Sequence, residues 1–338
     1  MSHVSEKNRR FDFDKNIVFM GSPACARTCL EALVKYAPCR VAGVVTQRPQ
    51  RAGRNWSLTE TPCASFARQI GIPCITPDDV NDPAVVRKIA SWHPDLIVVV
   101  AYGQFLGHDL LTLPTCGCVN CHFSLLPKYR GASPVAASIL NGDSTVGVTL
   151  IQMSAGMDDG PILVRRIEPM TLTDTAGEVT DRLAIVGAAS LVCLIRRLAA
   201  GEPLVATAQD PSEASVVFKL VKGDGLIDWR EPAERIERRV RAFDPWPGTW
   251  TVLQPDLCRP GTGGRVGIEK AEVESGEGLM PGPPGTVIGI SGNGMLVMTG
   301  EGSLRVLRVR PEGGRSMSGK EFLQGRHGLI GRHFMNRQ

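Results

Sequence analysis

Asp95-Leu-Ile-Val-Val-Val-Ala101 is an apolar run of strand length, bounded by a proline before it and by Tyr102-Gly103 after it. Apolar residues at every position, rather than at every second one, read as a strand covered on both faces, as in a parallel sheet. Working outward, Asn16-Ile-Val-Phe-Met-Gly21 is a second run of the same kind, and a helix is predicted over about 24–36. Val41–Thr46 is a third strand, and 47–60 is polar, basic and predicted irregular. A helix near Pro62–Ile70, a short strand at Pro73–Ile75 and a helix over Ala84–His93 lead back to the opening stretch. Beyond it, Cys118–His122 and Val146–Met153 are strands, and Thr175–Ala200 is a long amphipathic helix with Leu183, Val186, Leu191, Leu194 and Leu198 on one side. This alternation predicts an α/β domain with a mostly parallel sheet, whose ligands sit beyond the carboxyl ends of the strands.

The character changes after a polar stretch, 201–214, which reads as an interdomain linker. Short strands at about 250–253, 264–270, 284–290, 294–298 and 303–309, separated by glycine-rich turns, suggest a small β-barrel or sandwich. A length of 338 residues accommodates two domains at about 100–200 residues each. With 43% hydrophobic and 21% charged residues, wholesale disorder, a collagen repeat and a coiled coil are excluded. No apolar stretch approaches the ~20 residues needed to span a bilayer, and Met1–Lys15 lacks the apolar core of a secretory signal. The expected location is the cytoplasm, with the ten cysteines reduced. The net charge of +4 is small, but Arg305, Arg308, Arg310, Arg315, Lys320, Arg326, Arg332 and Arg337 crowd the end of the chain, opposed in that stretch only by Glu312 and Glu321.

The chemistry concentrates in Val119–Leu163. Asn120 and His122 alternate onto one face of a strand that ends at the carboxyl edge of the sheet. Ser124-Leu-Leu-Pro127 is a proline-stiffened loop, Ser133-Pro134 opens a helix that ends at Asn141-Gly142, and Gly156-Met-Asp158-Asp-Gly160 is an acidic turn bounded by glycines. An amide and a protonated imidazole donate hydrogen bonds to a developing oxyanion, and one such donor is worth about 10²–10³ in rate. No nucleophile accompanies them, because Ser124 stands in S-L-L-P rather than on a G-x-S-x-G elbow. The set therefore suits direct attack of one substrate on another. Gly21-Ser-Pro-Ala-Cys-Ala lacks the later glycines of a dinucleotide fingerprint. Cys116, Cys118, Cys121 and His122 lack a second ligand pair at zinc spacing, so buried thiols are expected and no metal.

These motifs resemble the 10-formyltetrahydrofolate-dependent formyltransferases. The resemblance is carried by Ile17-Val-Phe-Met-Gly-Ser-Pro23, Val98-Val-Val-Ala-Tyr-Gly103 and Asn120-Cys-His-Phe-Ser-Leu-Leu-Pro-Lys-Tyr-Arg-Gly-Ala-Ser-Pro134. It continues through Gly147-Val-Thr-Leu-Ile-Gln-Met153, Gly156–Gly160, Gly225-Leu-Ile-Asp-Trp229 and Arg241-Ala-Phe-Asp-Pro-Trp-Pro-Gly-Thr-Trp250. It implies a Rossmann-like catalytic domain over 15–200 with helices on both faces, and a smaller OB-like β-barrel over 215–335 that binds tRNA. It implies formyl transfer from 10-formyltetrahydrofolate, as co-substrate and without a metal, to the amine of methionine esterified to initiator tRNA. Asn120 and His122 would hold the formyl oxygen, and Asp158 would orient the histidine through water and help remove the amine proton. Ser124, Leu125, Leu126 and Pro127 would lie against the folate, with Ala101, Tyr102, Gly103 and Gly156 walling the pterin pocket. Arg48, Arg51 and Arg54 would meet the acceptor stem. The sequence departs from the family at Asn55-Trp56-Ser57, where lysines are usual, and at Phe123, where a smaller residue is usual. A nucleotide-sugar amine is the alternative acceptor, which the arginine loop and the basic tail disfavour. A monomer is expected.

Overall fold

The computed structural model describes residues 15–52, 57–253, 263–274, 282–326 and 328–336. It divides into two compact units. The first comprises residues up to Pro134, Thr145–Pro169 and Thr180–Val217, and the second Val135–Ser144, Met170–Val179 and Phe218 onward.

In the first unit the apolar runs become β1 (Asn16–Gly21), α1 (Ala24–Tyr36), β2 (Arg40–Val45), and, after a short hairpin, α2 (Pro62–Gln69), β5 (Cys74–Ile75), α3 (Pro83–Ala90) and β6 (Leu96–Val100). The hairpin pairs β3 (Gln50–Ala52) with β4 (Ser57–Thr59), so the stretch expected to be irregular is partly paired antiparallel backbone. Then come α4 (His108–Thr112), β7 (Cys118–His122), β8 (Arg130–Gly131), β9 (Thr145–Gln152), β10 (Ile162–Pro169) and α6 (Ala176–Ala199), whose first residues, like α5 (Pro134–Asn141) after its proline, are assigned to the second unit. The sheet order is β10-β9-β7-β6-β1-β2-β5, parallel from β5 to β7, with β9 and β10 antiparallel additions. The chain runs outward from β1 to β5 and returns at β6, so the topological switch point lies between β1 and β6. The carboxyl ends of β1, β6 and β7 gather there.

Side chains that alternate along the central strands are covered on both faces. On one face Val18, Met20, Ile97, Val99 and Cys118 pack with Ile89, Leu106 and Leu110 from the α3 and α4 region. On the other, the α1 thiol of Cys29 contacts the α6 carbonyl of Ala184 at 3.6 Å. Helix starts follow local chemistry: Thr61 and Asp82 each cap a helix whose first residue is proline.

The stretch 201–214 does not hang free between the units. Thr207 pairs with Ile162 through bonds of 2.7 and 2.9 Å, and β11 (Val216–Val217) runs parallel to β8. No local periodicity announces such long-range pairing, so a polar composition is read as linker.

The second unit holds α7 (Ala233–Ala242), β12 (Thr249–Leu253), β13 (Gly264–Glu274), β14 (Val287–Ser291), β15 (Gly294–Met298), β16 (Ser303–Pro311), β17 (Met317–Ser318), α8 (Gly319–Gln324) and β18 (Phe334–Met335). The antiparallel order is β14-β15-β16-β13-β12-β18. Backbone bonds from Val287 to Arg332 (2.9 Å) and from Phe334 to Gly285 (2.9 Å) close the sheet into a barrel. The basic run at the end of the chain is partly neutralised across strands: Arg305 meets Glu272 and Arg310 meets Glu269, each at 2.6 Å.

Trp229 organises the barrel interior. It is fully buried, stacks on Phe334 at 5.5 Å between centroids, and donates its indole N–H to the buried Thr251 hydroxyl at 3.0 Å. Trp229→Ala should destabilise the protein by about 3–5 kcal/mol, read as a lowered midpoint in chemical denaturation followed by circular dichroism. A loss below ~1 kcal/mol would contradict this packing role.

Candidate active site

Three residues from two separated stretches meet at the carboxyl end of β7. Asn120, half-buried, and His122, buried, share the face of Cys118, and the turn after β9 brings Asp158 to them. The Asn120 amide donates from Nδ2 to Asp158 Oδ1 at 2.9 Å. Asp158 Oδ2 accepts from the Gly131 N–H at 2.8 Å and stands 3.5 Å from His122 Nδ1. The other ring nitrogen, Nε2, is 2.8 Å from the carbonyl oxygen of Tyr129. A carbonyl only accepts, so the proton of the neutral ring sits on Nε2, and Nδ1 is the nitrogen that faces the carboxylate. At 3.5 Å the carboxylate leaves Nδ1 weakly engaged.

Backbone strain builds this cluster. Asp158 adopts φ +49°, Tyr129 φ +59° and Gly131 φ +106°. The first two are left-handed conformations that side chains disfavour by about 1–2 kcal/mol each. They persist because the neighbouring atoms hold them. A Cβ at Gly131 would run into the carbonyl oxygen of Val217, so only glycine brings that N–H to Asp158.

The loop after β7 is fastened from within. The Ser124 hydroxyl donates to the Lys128 carbonyl at 2.7 Å. The buried Thr149 hydroxyl donates to the Ser124 carbonyl at 2.7 Å and accepts from the Leu126 N–H at 3.2 Å. Ser124, Leu126 and Pro127 are buried, and Leu125 is half-buried, lying over Gly147 of β9. Across the switch point, Ala101 and Gly103 are exposed with positive φ, and Gly156 is exposed on its turn. Tyr102 is buried, and burial raises its phenol pKa. The Gln47 side chain donates to the Tyr102 carbonyl at 2.8 Å, tying the loop after β2 to the loop after β6. Arg48 forms an exposed ion pair with Asp78. Arg51 lies in β3, while Arg54 and Trp56 lie outside the described residues.

Reasoning from sequence missed Tyr129, Gly131, Arg130 and Gln209. The Lys128-Tyr-Arg-Gly131 run was the available signal for the first three; Gln209 had none.

Cys121, between the two polar residues, points to the opposite face. Its contact with Cys29, together with burial, holds its thiol well above the ordinary range, and burial alone pushes Cys118 up to about 12. Cys116 is exposed. Among the described residues, no group of three or more His, Cys, Asp or Glu side chains is placed to hold a metal.

A strand-end amide, imidazole and carboxylate thus meet in one cluster, a set of groups suited to an enzyme of group transfer. The profile described as "Formyl transferase" matches residues 15–195, and that of the "Formyl transferase, C-terminal domain" matches 219–327. The chain belongs to the formyl transferase family. Among curated relatives, the methionyl-tRNA formyltransferase of Roseiflexus sp. (strain RS-1) is 42% identical over 309 residues, spanning 91% of this chain and 92% of its own. That of Chloroflexus aurantiacus is 43% identical over 312 residues, spanning 92% and 97%. Among solved structures, WlaRD, a sugar 3N-formyl transferase, superposes with TM-score 0.57 at 18% identity, over 86% of this chain and 96% of its own. HypX from Aquifex aeolicus in complex with tetrahydrofolic acid gives 0.56 at 18%, over 91% of this chain and 46% of its own, so the chain spans about half of that protein. At those identities the two structures show the shared fold alone.

Alkylation of the native protein should modify Cys116 and Cys193, both exposed, and spare Cys118 and Cys121 until the chain is unfolded. Mass mapping that found Cys121 among the fast thiols would contradict the orientation given for β7.

Proposed function

We propose that this chain transfers the formyl group of 10-formyltetrahydrofolate to the amino group of methionine esterified to initiator tRNA, in the cytoplasm, ahead of translation initiation. The support is the meeting of Asn120, His122 and Asp158 at one strand end in a chain 42% identical to a methionyl-tRNA formyltransferase over nine-tenths of its length. The donor set suits a folate-borne formyl group. It offers hydrogen bonds to a carbonyl oxygen and a base for an amine, and the exposed backbone at Ala101, Gly103 and Gly156 leaves main-chain groups open to a flat heterocycle. When bound, the folate supplies an electrophilic one-carbon unit on a weakly basic nitrogen.

The residues then have distinct tasks. As the amine forms its bond to the formyl carbon, the carbonyl oxygen gains negative charge. The second hydrogen of the Asn120 amide and a protonated His122 Nδ1 hold that oxygen. Asp158 takes the proton that the amine releases. As the bond from the formyl carbon to the folate nitrogen breaks, its electron pair stays on that nitrogen, the proton held by Asp158 passes to it, and the oxyanion re-forms the carbonyl, which returns Asp158 to the carboxylate. Atoms and charge balance without a covalent enzyme intermediate.

The first unit supplies this chemistry, and the β-barrel over 215–335 binds the RNA. Arg48, Arg51 and Arg54 add phosphate contacts from the loop after β2, so affinity for RNA falls as salt rises.

Incubation with 10-formyltetrahydrofolate and charged initiator tRNA should yield N-formylmethionyl ester, detected by mass spectrometry after mild base release. A dTDP-amino sugar run in parallel should stay unmodified; the reverse pattern would overturn the choice of acceptor. His122→Ala should lower transfer by about 10²–10³-fold while donor affinity stays within about 3-fold. An equal loss of donor affinity would remove His122 from the oxyanion role.

A further inference from the structure

Gln209 lies in the polar stretch that joins α6 to β11, yet all four hydrogen-bonding positions of its amide are engaged, at the active-site turn and at Arg130. Its Nε2 donates to the carbonyl oxygens of Asp158 at 2.7 Å and of Gly160 at 2.8 Å. Its Oε1 accepts from Arg130 Nη2 at 2.8 Å and Nε at 3.2 Å. Arg130 in turn precedes Gly131, whose N–H holds the Asp158 carboxylate. The amide thus bridges the two sides of one residue: it grips the main chain of Asp158 and, through Arg130, the strand that fixes the side chain.

Such a bridge has a clear physical task. Asp158 sits at φ +49°, a conformation it would leave for the ordinary extended or helical regions if nothing opposed it. Two hydrogen bonds onto the carbonyls at 158 and 160 resist that rotation. A change in this torsion swings the carboxylate away from Nδ1 of His122. We propose that Gln209, held by Arg130, is a positioning residue for Asp158, acting on the reaction without touching a reacting atom. This inference rests on the transfer reaction assigned above.

The segment does not depend on this side chain for its path. Thr207 is fixed by its own backbone pair with Ile162 at 2.7 and 2.9 Å, and Ser215 accepts from the Arg130 N–H at 2.8 Å. Gln209→Leu removes both halves of the bridge. Gln209→Glu keeps the acceptor for Arg130 but turns the donor end into an oxygen facing two carbonyls. A bulk-packing role would tolerate the second variant, whereas a positioning role would not.

Both variants should lower kcat by about 10–10²-fold, with the KM of donor and acceptor changed less than about 3-fold, as expected for a catalytic group displaced by an ångström. The 15N shifts of the His122 ring should move in each variant as they move in Asp158→Asn. Adding Gln209→Leu to Asp158→Asn should reduce the rate by less than about 2-fold further, because the two act as one unit. Ring shifts unmoved in both variants, whatever happens to kcat, overturn the proposal, and so do losses that multiply in the double variant. If the wild-type protein formylates no acceptor, the reaction assigned above fails. The ring shifts still decide the positioning claim, by moving with Asp158→Asn or by staying fixed.

Discussion

One carboxylate is the common acceptor on which this site is assembled. Asp158 receives the amide of Asn120 on one oxygen and the N–H of Gly131 on the other, and faces the ring of His122. These groups come from β7, from β8 and from the turn after β9, so a single side chain locks three separate lengths of chain. A buried donor left without its acceptor costs about 1–3 kcal/mol, which makes the arrangement a local minimum steep in several directions. The same logic fixes the imidazole. With Nε2 committed to the Tyr129 carbonyl at 2.8 Å, Nδ1 is the nitrogen turned toward Asp158. The orientation of the ring is therefore set before any ligand arrives, as electrostatic preorganisation requires.

The sheet makes that preorganisation possible. The five residues of β6 are all buried, and β1 is buried after its first residue. Strands covered on both faces have no freedom to shift register without exposing apolar surface. β7 inherits this rigidity from β6, with which it pairs, and carries Asn120 and His122 to the carboxyl edge of the sheet. The turns there are held mainly by hydrogen bonds, as in the Thr149 bridge under the Ser124 loop and the Gln47 tie to the Tyr102 carbonyl. Rigid strands thus set position, and polar loops set chemistry.

What could be read from sequence follows the same division. Continuous apolar runs are local signals, so β1, β6 and β7 and the helices α1, α2 and α6 emerge within a residue or two of their places, while α3 ends three residues before the expected His93. The alternation that puts Asn120 and His122 on one face is local as well. Pairing between distant stretches is not. Nothing in residues 201–214 announces that Thr207 will bond Ile162 or that Gln209 will reach Asp158, because polarity is common to linkers and to loops that line a site. The arginines near the end of the chain illustrate the same limit for charge. In sequence they look nearly unopposed, but strand pairing places Glu269 and Glu272 against Arg310 and Arg305. The pairing of β3 with β4 is short, and its register follows from cross-strand geometry rather than from any apolar pattern.

The choice of acceptor is a separate physical problem from the transfer itself. An amine nucleophile, an oxyanion hole and a base would serve a sugar amine as well as an aminoacyl ester, so the three side chains cannot discriminate, and proteins of this fold that act on sugars share the frame. Discrimination has to come from surfaces that meet the rest of the acceptor. A sugar nucleotide presents two phosphates, whereas an RNA acceptor presents many, spread over tens of ångströms. Basic groups far apart are then worth more than a tight cluster, since each phosphate neutralised releases its own counterions. Arg48 fits this demand despite its pairing with Asp78. That pair is exposed on both sides, and an exposed ion pair is worth at most about 1 kcal/mol. An arginine paired so weakly would give up its carboxylate for a phosphate at little expense, while staying ordered without one.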